Sequence, residues 1–280
     1  MTELRRRMLE DMQLRGLAAG TQRVYINAIR ALAKHFHRSP DQVTEEQIRQ
    51  FFLHLTQVRK FSAATIATHQ FAIKFLYQHT LRRPWPVLNL LRVKRPKKLP
   101  TVLSQSEVWR LLDSVRRPAA RMSLLLMYSC GLRVSEATRL RAADIDSRRM
   151  VVCVRAGKGA RDRNIPLPMR TLDLLRQYWS KYRPATWLFP SQDPTKPIHP
   201  NAVRKCLYAA LPKAGITKPV CCHTLRHSYA THLLEQGVHL RSIQALLGHR
   251  SCRTTFIYMH LTEATMQAVH GAVNSLMAKL

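Results

Sequence analysis

Apolar residues recur at three- and four-residue intervals through most of the chain, and that period predicts a mainly helical protein. Within residues 1–82, a helix opened by Thr21 would carry Val24, Ile26, Ala28, Ile29, Leu32, Ala33 and Phe36. A second helix follows Thr44, whose hydroxyl suits an N-cap, with Ile48, Phe51, Phe52 and Leu55 at helical spacing. A third opens at Ser62 and carries Ile66, Phe71, Ile73, Phe75, Leu76 and Tyr77. No strand pattern interrupts them.

Residues 83–100 break the period. Pro84, Pro86, Pro96 and Pro100 disfavour a long helix, and Arg92, Lys94, Arg95, Lys97 and Lys98 crowd together with no acidic residue among them. The stretch reads as an extended basic linker. Residues 101–280 then read as a second domain. Ser104 or Ser106 caps a helix through Val108, Trp109, Leu111 and Leu112. Met122, Leu124, Leu125, Leu126, Met127 and Tyr128 mark a buried helix, and Gly131 can end it in the left-handed conformation. Residues 150–155 alternate as a strand, Gly157-Lys158-Gly159 supplies a turn, and Asn164-Ile165-Pro166-Leu167 reads as the return strand. A helix from His223 to Gly237 buries Leu225, Tyr229, Leu233 and Leu234, and a short one over Leu240–Leu247 ends at Gly248. The expected fold is mainly α with a small antiparallel β-sheet: a helical unit at 1–82, a linker at 83–100 and a mixed α+β unit at 101–280.

Charge changes the picture most. Lys and Arg number 46 against 16 Asp and Glu, a formal net charge of +30, and the surplus runs through all three segments. A folded chain with that excess repels itself unless a polyanion is near, which points to nucleic acid first and an anionic membrane surface second. The apolar fraction, 46% of 280 residues, is enough for real cores. No apolar run approaches the ~18 residues of a membrane span, so a cytoplasmic protein is expected. Six cysteines include no C-x-x-C pair and read as reduced thiols.

Several residues can carry chemistry. Arg133 falls between a helix stop and a helix start, where a side chain can project into a groove or simply face solvent. Lys158 at the hairpin tip can reach a duplex or donate a proton; it is equally a plain turn lysine. Its glycines do not form a nucleotide-binding loop, because no Ser or Thr follows the lysine. His223 and Arg226 lie at the start of a helix, where free N–H groups and the dipole favour an anion such as phosphate. His227 and His232 compete as metal ligands with His223, but their spacing is poor and carboxylates are scarce. His249 leaves a helix just after its glycine stop, and Tyr258 follows nine residues later. Taken alone, Tyr258 reads as structural.

Together these stretches resemble the tyrosine recombinases, the phage-integrase family of site-specific DNA recombinases. Gly131-Leu132-Arg133-Val134-Ser135-Glu136 matches the family's first arginine box, Gly157-Lys158-Gly159 its hairpin lysine, and His223-Thr224-Leu225-Arg226-His227 its H-x-x-R box. Leu247-Gly248-His249, Thr254-Thr255 and Tyr258 match the terminal box. The boxes stand in family order and cover 101–280, while 1–82 resembles the helical, SAM-like core-binding domain. The layout is closest to the compact Xer and mobile-element group.

The resemblance implies an enzyme that cleaves and rejoins DNA through a 3′-phosphotyrosine intermediate, with no metal, nucleotide or other cofactor. It implies catalytic roles for Arg133, Lys158, His223, Arg226, His249 and Tyr258, with Glu136 orienting the arginine region. The partners it implies are double-stranded DNA carrying recombination sites and a tetramer of this chain on two duplexes, with accessory DNA-bending proteins or a partner recombinase as further candidates. No membrane is implied, and the expected location is the nucleoid. The stripe Met266, Val269, Val273, Leu276, Met277 and Leu280 suits a final helix that docks in cis or on a neighbour. Three alternatives are a type IB topoisomerase-like nicking-closing enzyme, a catalytically silent DNA-binding accessory protein and a metal-dependent nuclease.

Overall fold

A computed structural model describes residues 2–83, 100–155 and 162–248. The chain divides into two compact units, Met1–Lys97 and Lys98–Leu280. Most of the basic stretch at 83–100, the hairpin tip with Lys158 and everything from His249 onward, including Tyr258 and the final apolar stripe, lie outside the described residues.

In the first unit, α1 (Glu3–Leu14) precedes α2 (Ala19–Phe36), α3 (Glu45–Leu53) and α4 (Ala63–Phe75). α1 is an element the apolar period did not announce. Its buried residues are Met8 and Met12, four positions apart, on a helix otherwise crowded with charge. α2 starts at Ala19 rather than Thr21, which lies inside the first turn, and Ala18 stands at the cap without a side-chain bond. Thr44 and Gln47 form a reciprocal cap for α3: Gln47 N–H donates to the Thr44 hydroxyl at 3.3 Å, and Thr44 N–H to the Gln47 amide oxygen at 3.0 Å. Ser62 accepts from Thr65 N–H at 3.2 Å and starts α4. Ile26, Ile29, Leu32, Ile48, Phe51, Phe52, Ile73 and Leu76 close the core with the two methionines of α1. Val24 and Phe71, which share the helical period, face solvent instead.

The second unit is built around α6 (Pro118–Ser129). Met122, Leu124, Leu125, Leu126 and Met127 are all buried, as expected of a helix covered on every side. It touches α5 (Gln105–Ser114), α7 (Val134–Ala137), α8 (Met169–Tyr182), α9 (Pro200–Ala210) and α10 (Cys222–Glu235). Ser104, not Ser106, caps α5, in a reciprocal box with Glu107. Trp109 on α5 is exposed, and the Arg170 guanidinium lies 5.1 Å from its ring centre.

Between α7 and α8 runs an antiparallel sheet of β1 (Ile145–Asp146), β2 (Val151–Val154) and β3 (Arg163–Pro166), in that order. β2 and β3 are the strand and return strand that the alternation predicts; β1, two residues long, is too short to read. Val152 faces Ile165 and Val154 faces Arg163 across the pair. Val152, Val154 and Ile165 are buried, so the two-residue period puts Arg163 on the same inward face. The last described helix, α11 (Leu240–Leu247), packs on α10 through Ala230, Ile243 and Leu247. Among the described residues, no helix is long and apolar enough to cross a membrane.

Gly131 joins these layers. Its φ is +60°, and a Cβ there would stand 2.6 Å from the Tyr229 ring and 3.0 Å from Leu247. Left-handed strain costs an L-residue roughly 1–2 kcal/mol and overpacking a further 1–3. Gly131→Ala is therefore expected to destabilise the protein by about 2–5 kcal/mol in urea denaturation. Gly215→Ala, at φ +64° with nothing within 4 Å, should show the smaller, purely conformational loss.

Candidate active site

The turn after Gly131 places Arg133 immediately before α7, on extended backbone with φ −71° and ψ 151°. From there its backbone N–H donates to Glu136 Oε2 and its Nη1 to Glu136 Oε1, both at 2.8 Å. Glu136 sits in the first turn of α7 with its carboxylate almost wholly buried. A second guanidinium arrives from β3: Arg163 Nη1 donates to Oε1 at 3.0 Å and Nη2 to Oε2 at 2.8 Å, a bidentate fork. A third comes from α10, where Arg226 is 2% exposed and holds its Nη1 3.8 Å from Glu136 Oε2. Burial alone would push the Glu136 carboxyl up. Bonds and charge from Arg163 and Arg133 outweigh it and bring the pKa to about 2.

The same three arginines close the end of α11. Arg163 Nε donates to the Leu246 carbonyl at 3.0 Å, Arg226 Nη2 to the Leu247 carbonyl, and Arg133 Nη2 to the Gly248 carbonyl at 3.4 Å. Carbonyls at a helix C-terminus lack intrahelical partners and carry the negative end of the dipole, so cations belong there. Arg226 Nη1 also donates to the Gly131 carbonyl at 2.7 Å, which ties the end of α6 to the end of α11. Gly248 itself has φ +61°, the left-handed conformation that ends α11.

His223 is the second residue of α10. The start of that helix is capped by the Cys221–Thr224 pair, in which Cys221 N–H donates to the Thr224 hydroxyl at 3.1 Å. The imidazole keeps an open surface. The protein packed around it still desolvates it, and Arg226, Arg133 and Arg204 add positive charge, so its pKa falls below the ordinary 6.5, with Glu136 opposing. His227 stands 5.7 Å from His223 between ring centres, and burial, then His223 and Arg226, lower its pKa to about 4. His232, the third histidine of α10, pairs its Nδ1 with the Tyr128 hydroxyl at 2.9 Å.

Of the six residues singled out by sequence, Arg133, His223 and Arg226 thus fall around one buried carboxylate. Lys158, His249 and Tyr258 lie outside the described residues. Sequence reasoning missed Arg163. The signal for it was present in the alternation: if Ile165 points inward on the return strand, so does Arg163, and an inward arginine needs a buried partner.

Comparison with known proteins follows the same division. The Phage integrase family matches residues 101–265, and the Phage integrase N-terminal SAM-like domain matches residues 4–87. A putative integrase/recombinase of Sinorhizobium fredii is 41% identical over 93% of this chain and 85% of its own length. The tyrosine recombinase XerD of Oceanobacillus iheyensis is 35% identical, with 78% of each chain covered. Among solved structures, a lambda integrase fragment crystallised as a dimer bound to a core site shares the fold at a TM-score of 0.75. That match covers 92% of this chain and 94% of that one at 18% identity. With both its units matched and close relatives along nearly its whole length, the chain belongs to the phage integrase family, the tyrosine recombinases.

Proposed function

We propose that this site-specific recombinase cuts and rejoins duplex DNA through a covalent 3′-phosphotyrosine link formed by Tyr258. The observation that carries the reading is the charge balance at the centre of the second unit. Three guanidiniums converge on one carboxylate, so positive charge remains over for an anion. A phosphodiester fits that surplus, because guanidinium donors match the geometry of phosphate oxygens.

In the proposed step the Tyr258 oxygen attacks phosphorus, a bond forms between them, and the bond from phosphorus to the 5′ oxygen breaks. The phenol proton passes to His223, and the departing 5′ oxygen takes a proton from Lys158. Arg133 and Arg226 hold the non-bridging oxygens, and His249 adds a hydrogen bond to the developing charge. The lowered pKa of His223 leaves its ring neutral at pH 7, the form that can accept a proton. The arginines supply the charge that a metal ion supplies in many nucleases. The energy of the broken ester stays in the phosphotyrosine link, so the 5′-hydroxyl of a second strand can displace the tyrosine without nucleotide hydrolysis.

The core-binding unit at 1–82 and the catalytic unit at 101–280 would each contact the DNA, and the basic stretch at 83–100 would add phosphate contacts. Exchange of four strands calls for four subunits on two duplexes. The net charge of +30 and the core-site complex of lambda integrase support DNA as the partner.

On a nicked suicide duplex built on the sequence this protein selects from a random library, the unaltered chain should form a covalent adduct in EDTA. Tyr258→Phe should form none while still shifting the duplex in a gel. An adduct from Tyr258→Phe would remove the tyrosine from its role. The rate of adduct formation should also fall as the pH drops below 6.5 through the lowered pKa of His223, because protonation removes the acceptor. That acid limb should vanish in His223→Gln; if it persists there, the titrating group is another one.

A further inference from the structure

Arg163 belongs to none of the sequence boxes, yet it makes as many hydrogen bonds to Glu136 as the boxed Arg133 does, two each. A carboxylate offers about four lone-pair positions. Glu136 has all of them occupied: Arg133 N–H and Arg163 Nη2 on Oε2, Arg133 Nη1 and Arg163 Nη1 on Oε1. Half of these bonds come from Arg163. Were they lost, two positions on a buried anion would lie open beside Arg133, and its planar fork could turn to fill them. An Arg133 locked to Glu136 in that way has fewer donors for a phosphate.

The same side chain reaches the other wall of the site. Its Nε holds the Leu246 carbonyl, and its Cδ lies where a Cβ on Gly248 would come within 3.2 Å. Gly248 is the last residue before His249. Arg163 also follows the hairpin tip that carries Lys158 by five positions. One residue therefore links the strand behind the lysine, the carboxylate beneath the arginines and the turn that precedes the second histidine.

We infer that Arg163 is a positioning residue for strand cleavage: it saturates Glu136 and pins the end of α11, so that Arg133 stays set for the phosphate. This rests on the phosphotyrosine reading above. A lysine keeps the charge but offers no planar fork, and a methionine keeps neither.

The test compares full-length Arg163→Met and Arg163→Lys with the unaltered chain on the selected suicide duplex. The single-turnover rate of adduct formation is measured at saturating DNA, beside the equilibrium affinity for the intact duplex and the melting temperature. Arg163→Met should slow the adduct step by about 100-fold, the scale of an ångström-sized misplacement, while affinity changes by less than about threefold. Arg163→Lys, which also serves if the methionine variant does not fold, should recover part of that rate. Variants that melt lower but form the adduct at the unaltered rate would overturn the inference alone and leave Arg163 a purely stabilising residue. No adduct from the unaltered chain would overturn the phosphotyrosine reading and, with it, this role.

Discussion

The carboxylate of Glu136 is the point on which the second unit turns. It is almost fully buried, and a buried charge is tolerated only when it is paired and hydrogen-bonded. Here the pairing comes from three directions in sequence: Arg133 from the turn just before α7, Arg163 from the sheet and Arg226 from α10. Removing one member of such a buried set typically costs about 3–5 kcal/mol, because the remaining charges are left uncompensated. The α6–α7 turn, the sheet and α10 therefore each bring one guanidinium to the same carboxylate.

That coupling explains why rigid parts surround the site. α6 is buried on all sides and fixes Gly131, whose carbonyl receives Arg226. α11 offers its last carbonyls to the same arginines, so the helix end and the arginine cluster neutralise each other. The balance is uneven, with more positive than negative charge. In the function proposed above, a phosphate supplies what is missing.

Much of this was legible in sequence, and the gaps have physical causes. Thr44, Ser62 and Ser104 declared their helices because capping is a local matter of one hydroxyl and a nearby N–H. Gly131 and Gly248 declared their stops for a similar reason. α1 stayed hidden because its buried stripe is narrow and half of its residues are charged. The start of α2 was displaced because no capping side chain marks it. Val24 and Phe71 kept the helical period but faced outward, since the period defines a stripe without saying how wide the covering layer is. Motif order brought Arg133, His223 and Arg226 together as candidates. Arg163 escaped because its role depends on a partner 27 residues away, and only strand phase pointed inward.

The charged state of Glu136 can be read directly from its side-chain carboxyl carbon by NMR across an acid titration. With a pKa of about 2, the group should remain ionised near pH 3.5, where exposed glutamates are already mostly protonated. Held by three guanidiniums, it stabilises the fold fully above the ordinary value of 4.5, and that contribution is lost as the pH falls towards 2. A Glu136 carboxyl that titrates at or above 4.5 would contradict the arginine nest and the phosphate clamp built on it.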